Sequence, residues 1–188
     1  MKNSSLLFLI AIFLFTTFQS CGNSSIKALQ KAKAEELAAD DKGYYVKIGE
    51  KVPDFEMTLA DGTTTSMSEL QGKVVVLQFT ASWCVVCRKE MPHIEKDIWQ
   101  VHKDKKLVVI GVDRDEPLET VQKFAEQMKI TYPLALDPNA DIFGLFASKK
   151  AGVTRNVVVD KKGNIAFLTR LFNEKEFGEM KTVIEALL

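Results

Sequence analysis

A chain of 188 residues is long enough for one domain with a buried core, plus a leader and a linker. Its 25 basic and 25 acidic side chains cancel, which argues against a nucleic-acid partner, because such proteins present a basic surface. Of its three cysteines, an even pair remains if one is modified.

Residues 1–20 read as an export signal. Lys2 supplies the charged start, residues 6–18 an apolar run, and Phe18-Gln19-Ser20 leads into Cys21. The run is shorter than the roughly 20 residues a membrane span needs. A small residue directly before a cysteine resembles a bacterial lipoprotein signal, in which Cys21 becomes the acylated first residue. The alternatives are an uncleaved anchor or a plain secretory signal cut elsewhere. Residues 21–43 are polar, rich in alanine and lysine and weakly amphipathic, and are expected to form a lipidated, partly helical tether.

The domain is expected over residues 44–188. Phe55, Met57 and Leu59 alternate as on one face of a strand, and Asp61-Gly62 signals a turn, so residues 44–72 predict an N-terminal hairpin. Residues 74–79, Val-Val-Val-Leu-Gln-Phe, are apolar on both faces, as in a central strand between helix layers. Met91, Ile94, Ile98 and Val101 then recur at steps of three and four, predicting a helix with that stripe buried and a kink at Pro92. Residues 107–112 form a second apolar strand, and residues 113–117 a polar connection into a helix that buries Leu118, Val121, Phe124, Ala125 and Met128. A short extended piece at 132–136 and a helical turn or two at 142–146 follow. Two strands flank Lys161-Lys162-Gly163-Asn164, and a last helix starts at Asn173, with Glu176 at capping-box spacing. That order predicts an α/β fold with a central mixed sheet flanked by helices.

The chemistry concentrates in Trp83-Cys84-Val85-Val86-Cys87, at the junction of the central strand and its helix. Side chains three apart on a first helical turn are neighbours, so the two sulfurs can join with little backbone movement. The helix N-terminus favours the thiolate of the first cysteine, and the thiolate is the nucleophile. A closed zinc site needs four ligands, and His93, six residues past Cys87, lies about 240° around the helix, so neither a metal nor a cofactor is expected. His93 and His102 read as ordinary surface or helix-end residues.

Four stretches carry a family resemblance: Lys51-Val52-Pro53-Asp54-Phe55 with Asp61-Gly62; the run from Phe79 through the cysteines to Arg88-Lys89-Glu90-Met91-Pro92; Tyr132-Pro133-Leu134-Ala135-Leu136-Asp137-Pro138; and Val157-Val158-Val159-Asp160 with Gly163-Asn164-Ile165. Together they resemble a thioredoxin-like domain of the TlpA and ResA type, related to the AhpC/TSA proteins, with an N-terminal hairpin extension. The resemblance implies a membrane-tethered, extracytoplasmic thiol-disulfide oxidoreductase that reduces protein disulfides and draws on a membrane-associated electron donor, working as a monomer. It makes Cys84 the attacking thiolate, Cys87 the resolving thiol, and Trp83, Val153 and Thr154 the substrate-facing residues. It implies that Glu90, three residues after Cys87, moves protons at the pair; the other reading of Glu90 is a solvated surface charge.

Three departures stand out. Val85-Val86 replaces the common Gly-Pro, so a potential cannot be borrowed from relatives that span about −270 to about −120 mV. Gln78 stands where thioredoxins place a buried acid. Thr154 occupies the usual cis-proline position, and a cis bond there would cost about 2.5–4 kcal/mol, so a trans bond is expected, with Thr154 near Cys84. Arg155 is expected on the surface, the alternative being an inward guanidinium that stabilises a thiolate. Two other functions compete. A peroxiredoxin-like peroxidase shares the Val52-Pro53-Asp54-Phe55 entry and a non-proline residue at that loop, yet has Thr and Pro where this chain has Ala81 and Leu77. A redox-sensing or docking lipoprotein without catalysis is the third.

Overall fold

The computed structural model describes residues 20–39 and 43–188. The expected export signal, apart from Ser20, lies outside the described residues, as do the side chains at the start of the first helix, including that of Cys21. Among the described residues no helix is long and apolar enough to cross a membrane.

One seven-stranded mixed sheet organises the domain, its strands running side by side as Thr64–Ser66 (β2), Glu56–Leu59 (β1), Leu134–Asp137 (β5), Leu107–Arg114 (β4), Val74–Thr80 (β3), Arg155–Val159 (β6) and Ile165–Arg170 (β7). Its central strand, β3 (Val74–Thr80), is buried along its whole length and pairs in parallel with β4 (Leu107–Arg114), which pairs in parallel with β5 (Leu134–Asp137). On its other side β3 meets β6 (Arg155–Val159) antiparallel, and β6 continues to β7 (Ile165–Arg170). The expected hairpin is present as β1 (Glu56–Leu59) and β2 (Thr64–Ser66), and β1 joins the sheet antiparallel to β5. Asp61 anchors its turn by accepting from the Thr63 N–H, and Gly62 supplies the positive φ that the turn requires.

Alternation along β3 splits the core. Val75, Leu77 and Phe79 face one side, with Phe143 and Phe146 of α4 (Asp141–Phe146). Val74 and Val76 face the other side, covered by α2 (Val85–Ile94), α3 (Leu118–Met128) and α5 (Glu174–Leu187). Asp137 starts α4 by accepting from the N–H groups of Ile142 and Phe143. Asn173 caps α5 through the Glu176 N–H as its spacing suggests, but the Glu176 carboxylate pairs with Lys33 of α1 (Ser20–Ala39). This nearly buried pair seats α1 against α5 and β7.

Three sequence expectations change. Met91, Ile94 and Ile98 are buried as the stripe requires, but Val101 is 58% exposed and His102 is buried in its place. After Pro92 the helix passes through a π turn, Glu95–Trp99, before its last α turn, Gln100–His102. The extra residue in that turn shifts the buried phase from 101 to 102. Leu118, at the open first position of α3, is also exposed. Finally, residues 113–117 are not a solvated connection: β4 extends through Arg114, and Asp113, Arg114 and Glu116 are buried.

Gly111 of β4 lies where an added Cβ would meet the Leu134 side chain and, at 3.4 Å, the Tyr132 ring. Gly111→Ala is therefore expected to overpack this layer and lower stability by about 1–3 kcal/mol. Urea unfolding should show a lower midpoint with an unchanged slope.

Candidate active site

Fully buried β3 ends at Thr80, and the chain turns through Ala81, Ser82 and Trp83 to bring Cys84 to the start of α2. Cys84 takes an extended conformation, φ −82° and ψ 100°, and its sulfur accepts the N–H of Cys87 at 3.1 Å. The first sulfur is thus the N-cap of the helix, in the place where an oxygen side chain usually satisfies an open N–H. That donor and the positive end of the helix dipole stabilise a thiolate at Cys84 on reduction. The two cysteines form a disulfide, with Cα atoms 5.3 Å apart. Cys84 retains 7% exposure and Cys87 none, so an incoming sulfur reaches the first and not the second.

Tertiary packing brings Thr154 to the pair. The register Phe79 opposite Arg155 places the residue before β6 beside the end of β3. The Thr154 hydroxyl lies 3.2 Å from the Cys84 sulfur and 3.3 Å from that of Cys87. Disulfide sulfurs carry no hydrogen, so the hydroxyl is the donor and serves one sulfur at a time. The described residues contain no cis peptide bond, in line with the expectation for Val153-Thr154. Val153 is buried in the core beneath this loop. Trp83, 57% exposed, lies open beside the pair with Val85. Leu171, which no motif or periodicity in the chain marks out, adds a third exposed apolar side chain. It holds a positive φ of 63° and donates its N–H to the Thr154 carbonyl at 3.1 Å.

Arg155 is not a surface residue. It is buried, lies over the rings of Tyr44 and Phe143 at 5.1 and 5.5 Å, and donates to the Gly152 carbonyl. Residue 155 starts a strand whose odd positions face the apolar layer of α4, and its planar cation is accommodated there by aromatic faces.

Glu90 is also internal, at 1% exposure, so the solvated reading is wrong. Its carboxyl accepts from Asn156 Nδ2 at 2.7 Å and from Gln78 Nε2 at 3.2 Å. Gln78 in turn accepts the Tyr132 hydroxyl at 2.7 Å, and Asn156 donates to the Thr169 hydroxyl at 2.9 Å. Burial pushes the Glu90 carboxyl up to about 7, although both amide donors favour its charged form. Asn156 is readable in the sequence as the one polar residue opening a run of valines; Tyr132 and Thr169 give no such signal. Among the described residues the Glu90 carboxyl bonds to these amides and to neither sulfur, and it stands one helical turn from Cys87.

Residues 48–168 match the model of the AhpC/TSA family. The thiol-disulfide oxidoreductase ResA of Bacillus cereus is 29% identical over 95% of this chain and 91% of its own length. A solution structure of a candidate protein disulfide isomerase from Bacteroides thetaiotaomicron is 58% identical, with a TM-score of 0.76 over 78% of this chain and 92% of that one. A crystal structure of a candidate thiol:disulfide interchange protein DsbE from Chlorobium tepidum is 26% identical, with a TM-score of 0.67 over 76% of this chain and 98% of the other. A thioredoxin-like sheet with a cysteine pair at the head of α2, matched along most of its length by such relatives, has one reading: the chain belongs to the AhpC/TSA family and is a thiol-disulfide oxidoreductase of the ResA and DsbE type.

Proposed function

We propose that this protein is a membrane-tethered, extracytoplasmic reductase of protein disulfides in which Cys84 attacks and Cys87 resolves. The observation that carries the assignment is the Cys84 sulfur serving as N-cap of α2 and retaining exposure while Cys87 is sealed. In the reduced protein the Cys84 thiolate attacks one sulfur of a substrate disulfide, and the other sulfur leaves as a thiolate. Cys87 then loses its proton and attacks the Cys84 sulfur, releasing the second substrate thiolate. Two electrons pass to the substrate, and the Cys84–Cys87 disulfide must be reduced again by a donor, expected at the membrane. In this scheme Glu90 accepts the Cys87 proton, a role supported by its burial one turn along the helix and by a pKa raised to about 7. The Thr154 hydroxyl donates to the Cys84 thiolate, and the exposed Trp83 borders the substrate, whereas Val153, sealed in the core, supports the loop from beneath and does not face the substrate as the resemblance implied. The envelope location, with a lipid on Cys21, is supported by the pattern of residues 1–20 and by the cysteine left over from the redox pair.

Cys87→Ser should hold substrates as mixed disulfides on Cys84, identifiable by mass spectrometry, and Cys84→Ser should hold none. A protein that consumes peroxide but reduces no protein disulfide would overturn the assignment. Because a base must be ionised to take a proton, resolution of the mixed disulfide should accelerate as pH rises through about 7 and then level off. Glu90→Gln should lose that rise in stopped-flow measurements.

The same carboxyl predicts a stability trend. Its folded pKa lies above the ordinary 4.5, so between these values the folded state holds a proton that the unfolded chain releases, and stability falls as pH rises from about 4.5 to about 7. Asp113, raised to about 8, adds a decline of the same sign that extends further. Urea midpoints of the parent should therefore drop from weakly acidic to weakly alkaline buffer, with a shallower drop in Glu90→Gln.

A further inference from the structure

Ser82, two residues before Cys84, is held from three directions. Its N–H donates to Glu116 Oε2 and its hydroxyl to Glu116 Oε1, each at 2.5 Å, and its carbonyl accepts from Arg88 Nη1 at 3.1 Å. Glu116 sits buried where the chain leaves β4, and Arg88 is fixed on α2 by Gln127 and by the face of Phe124. Asp113, at the end of β4, has 0% exposure, and among the described residues neither of its oxygens meets a hydrogen-bond donor. The charges acting on it are those of Glu116 and Asp115.

Two buried carboxyls acting on each other cannot both ionise at ordinary cost, so the pair retains a proton. Two donors from Ser82 stabilise the charge on Glu116, and nothing comparable stabilises one on Asp113. We propose that Asp113 and Glu116 share one proton as a positioning pair for the redox loop, with protonated Asp113 donating to the Glu116 carboxylate and Glu116 holding the Ser82 peptide that leads into Trp83 and Cys84. The proposal rests on Cys84 being the attacking thiolate, since Ser82 sets where the chain enters that residue.

Other charges nearby are already engaged. Asp115 pairs with Arg114 at 2.6 Å, Arg88 is committed to the Ser82 carbonyl and Gln127, and Glu90 of α2 is held by Gln78 and Asn156. On α3, Gln127 is neutral, and Glu119 and Lys123 pair with each other in solvent. Burial and the two neighbouring acids push Asp113 up to about 8. Above that range a second negative charge appears beside Glu116 and weakens its hold on Ser82.

The test uses the oxidised protein, whose paired cysteines do not titrate, in a Trp99→Phe background that leaves Trp83 as the sole indole. Trp83 fluorescence should show a transition centred near pH 8. Asp113→Asn, whose amide donates to Glu116 at every pH, and Glu116→Gln should both lack it. In turnover, the ratio of kcat/KM at alkaline to neutral pH should fall about tenfold further in the parent than in Asp113→Asn, the worth of roughly one charge-assisted hydrogen bond. A transition that survives in Asp113→Asn, or no transition in the parent, overturns the positioning pair. Neither outcome touches the oxidoreductase assignment, which fails separately if Cys84→Ser retains full activity.

Discussion

The site depends on one backbone contact, the Cys87 N–H donated to the Cys84 sulfur at the amino end of α2. For that contact to form, the helix must begin at residue 85, and the strand before it must deliver the chain at a fixed height and angle. β3 does so because it is buried on both faces and paired on both edges, with parallel β4 on one side and antiparallel β6 on the other. The β6 pairing also sets Thr154 against both sulfurs. A shift of one residue in that register would turn the side chains of β6 to opposite faces, exchanging Arg155 and Asn156.

Below the sulfurs runs a buried polar chain from Tyr132 through Gln78 and Glu90 to Asn156 and Thr169. An acid at position 78 would place a second carboxylate against Glu90, and like charges in a site closed to water raise each other's pKa strongly. Glutamine fills the position with one acceptor for Tyr132 and one donor for Glu90. Glu90 is consequently left as the single carboxyl of this network, one helical turn from Cys87, with burial raising its pKa to about 7.

Thr154 alters a second wall of the site. A proline there would offer no side-chain donor, whereas the threonine hydroxyl reaches either sulfur. Exposed apolar residues adjoin this polar spot along the chain, Trp83 and Val85 on either side of Cys84 and Leu171 bonded through its N–H to the Thr154 carbonyl, and Leu171 occupies a left-handed conformation that costs a non-glycine residue of order 1–3 kcal/mol. Arg155, next along the strand, turns its guanidinium into the layer of α4, where it donates to the Gly152 carbonyl and lies over two aromatic faces.

The order of strands and helices, the hairpin extension and the identity of the redox pair were legible in the chain because each depends on local pattern. The apolar run of β3, the turn residues Asp61-Gly62 and Gly163, and the spacing of Cys84 and Cys87 are all read within a few neighbours. What escaped that reading depends on non-local contacts. The π turn after Pro92 replaced Val101 by His102 because the helix closed against the sheet with one extra residue. Asp113, Glu116 and Arg155 look like solvated charges in sequence, and Glu90 could be placed near the pair but its amide partners could not, because a charge gives no sign of which layer will cover it. The sequence by itself determined the fold class and the two reacting sulfurs. Only the tertiary structure decided which polar groups are sealed around them, because burial depends on strand register and on helices drawn from distant parts of the chain.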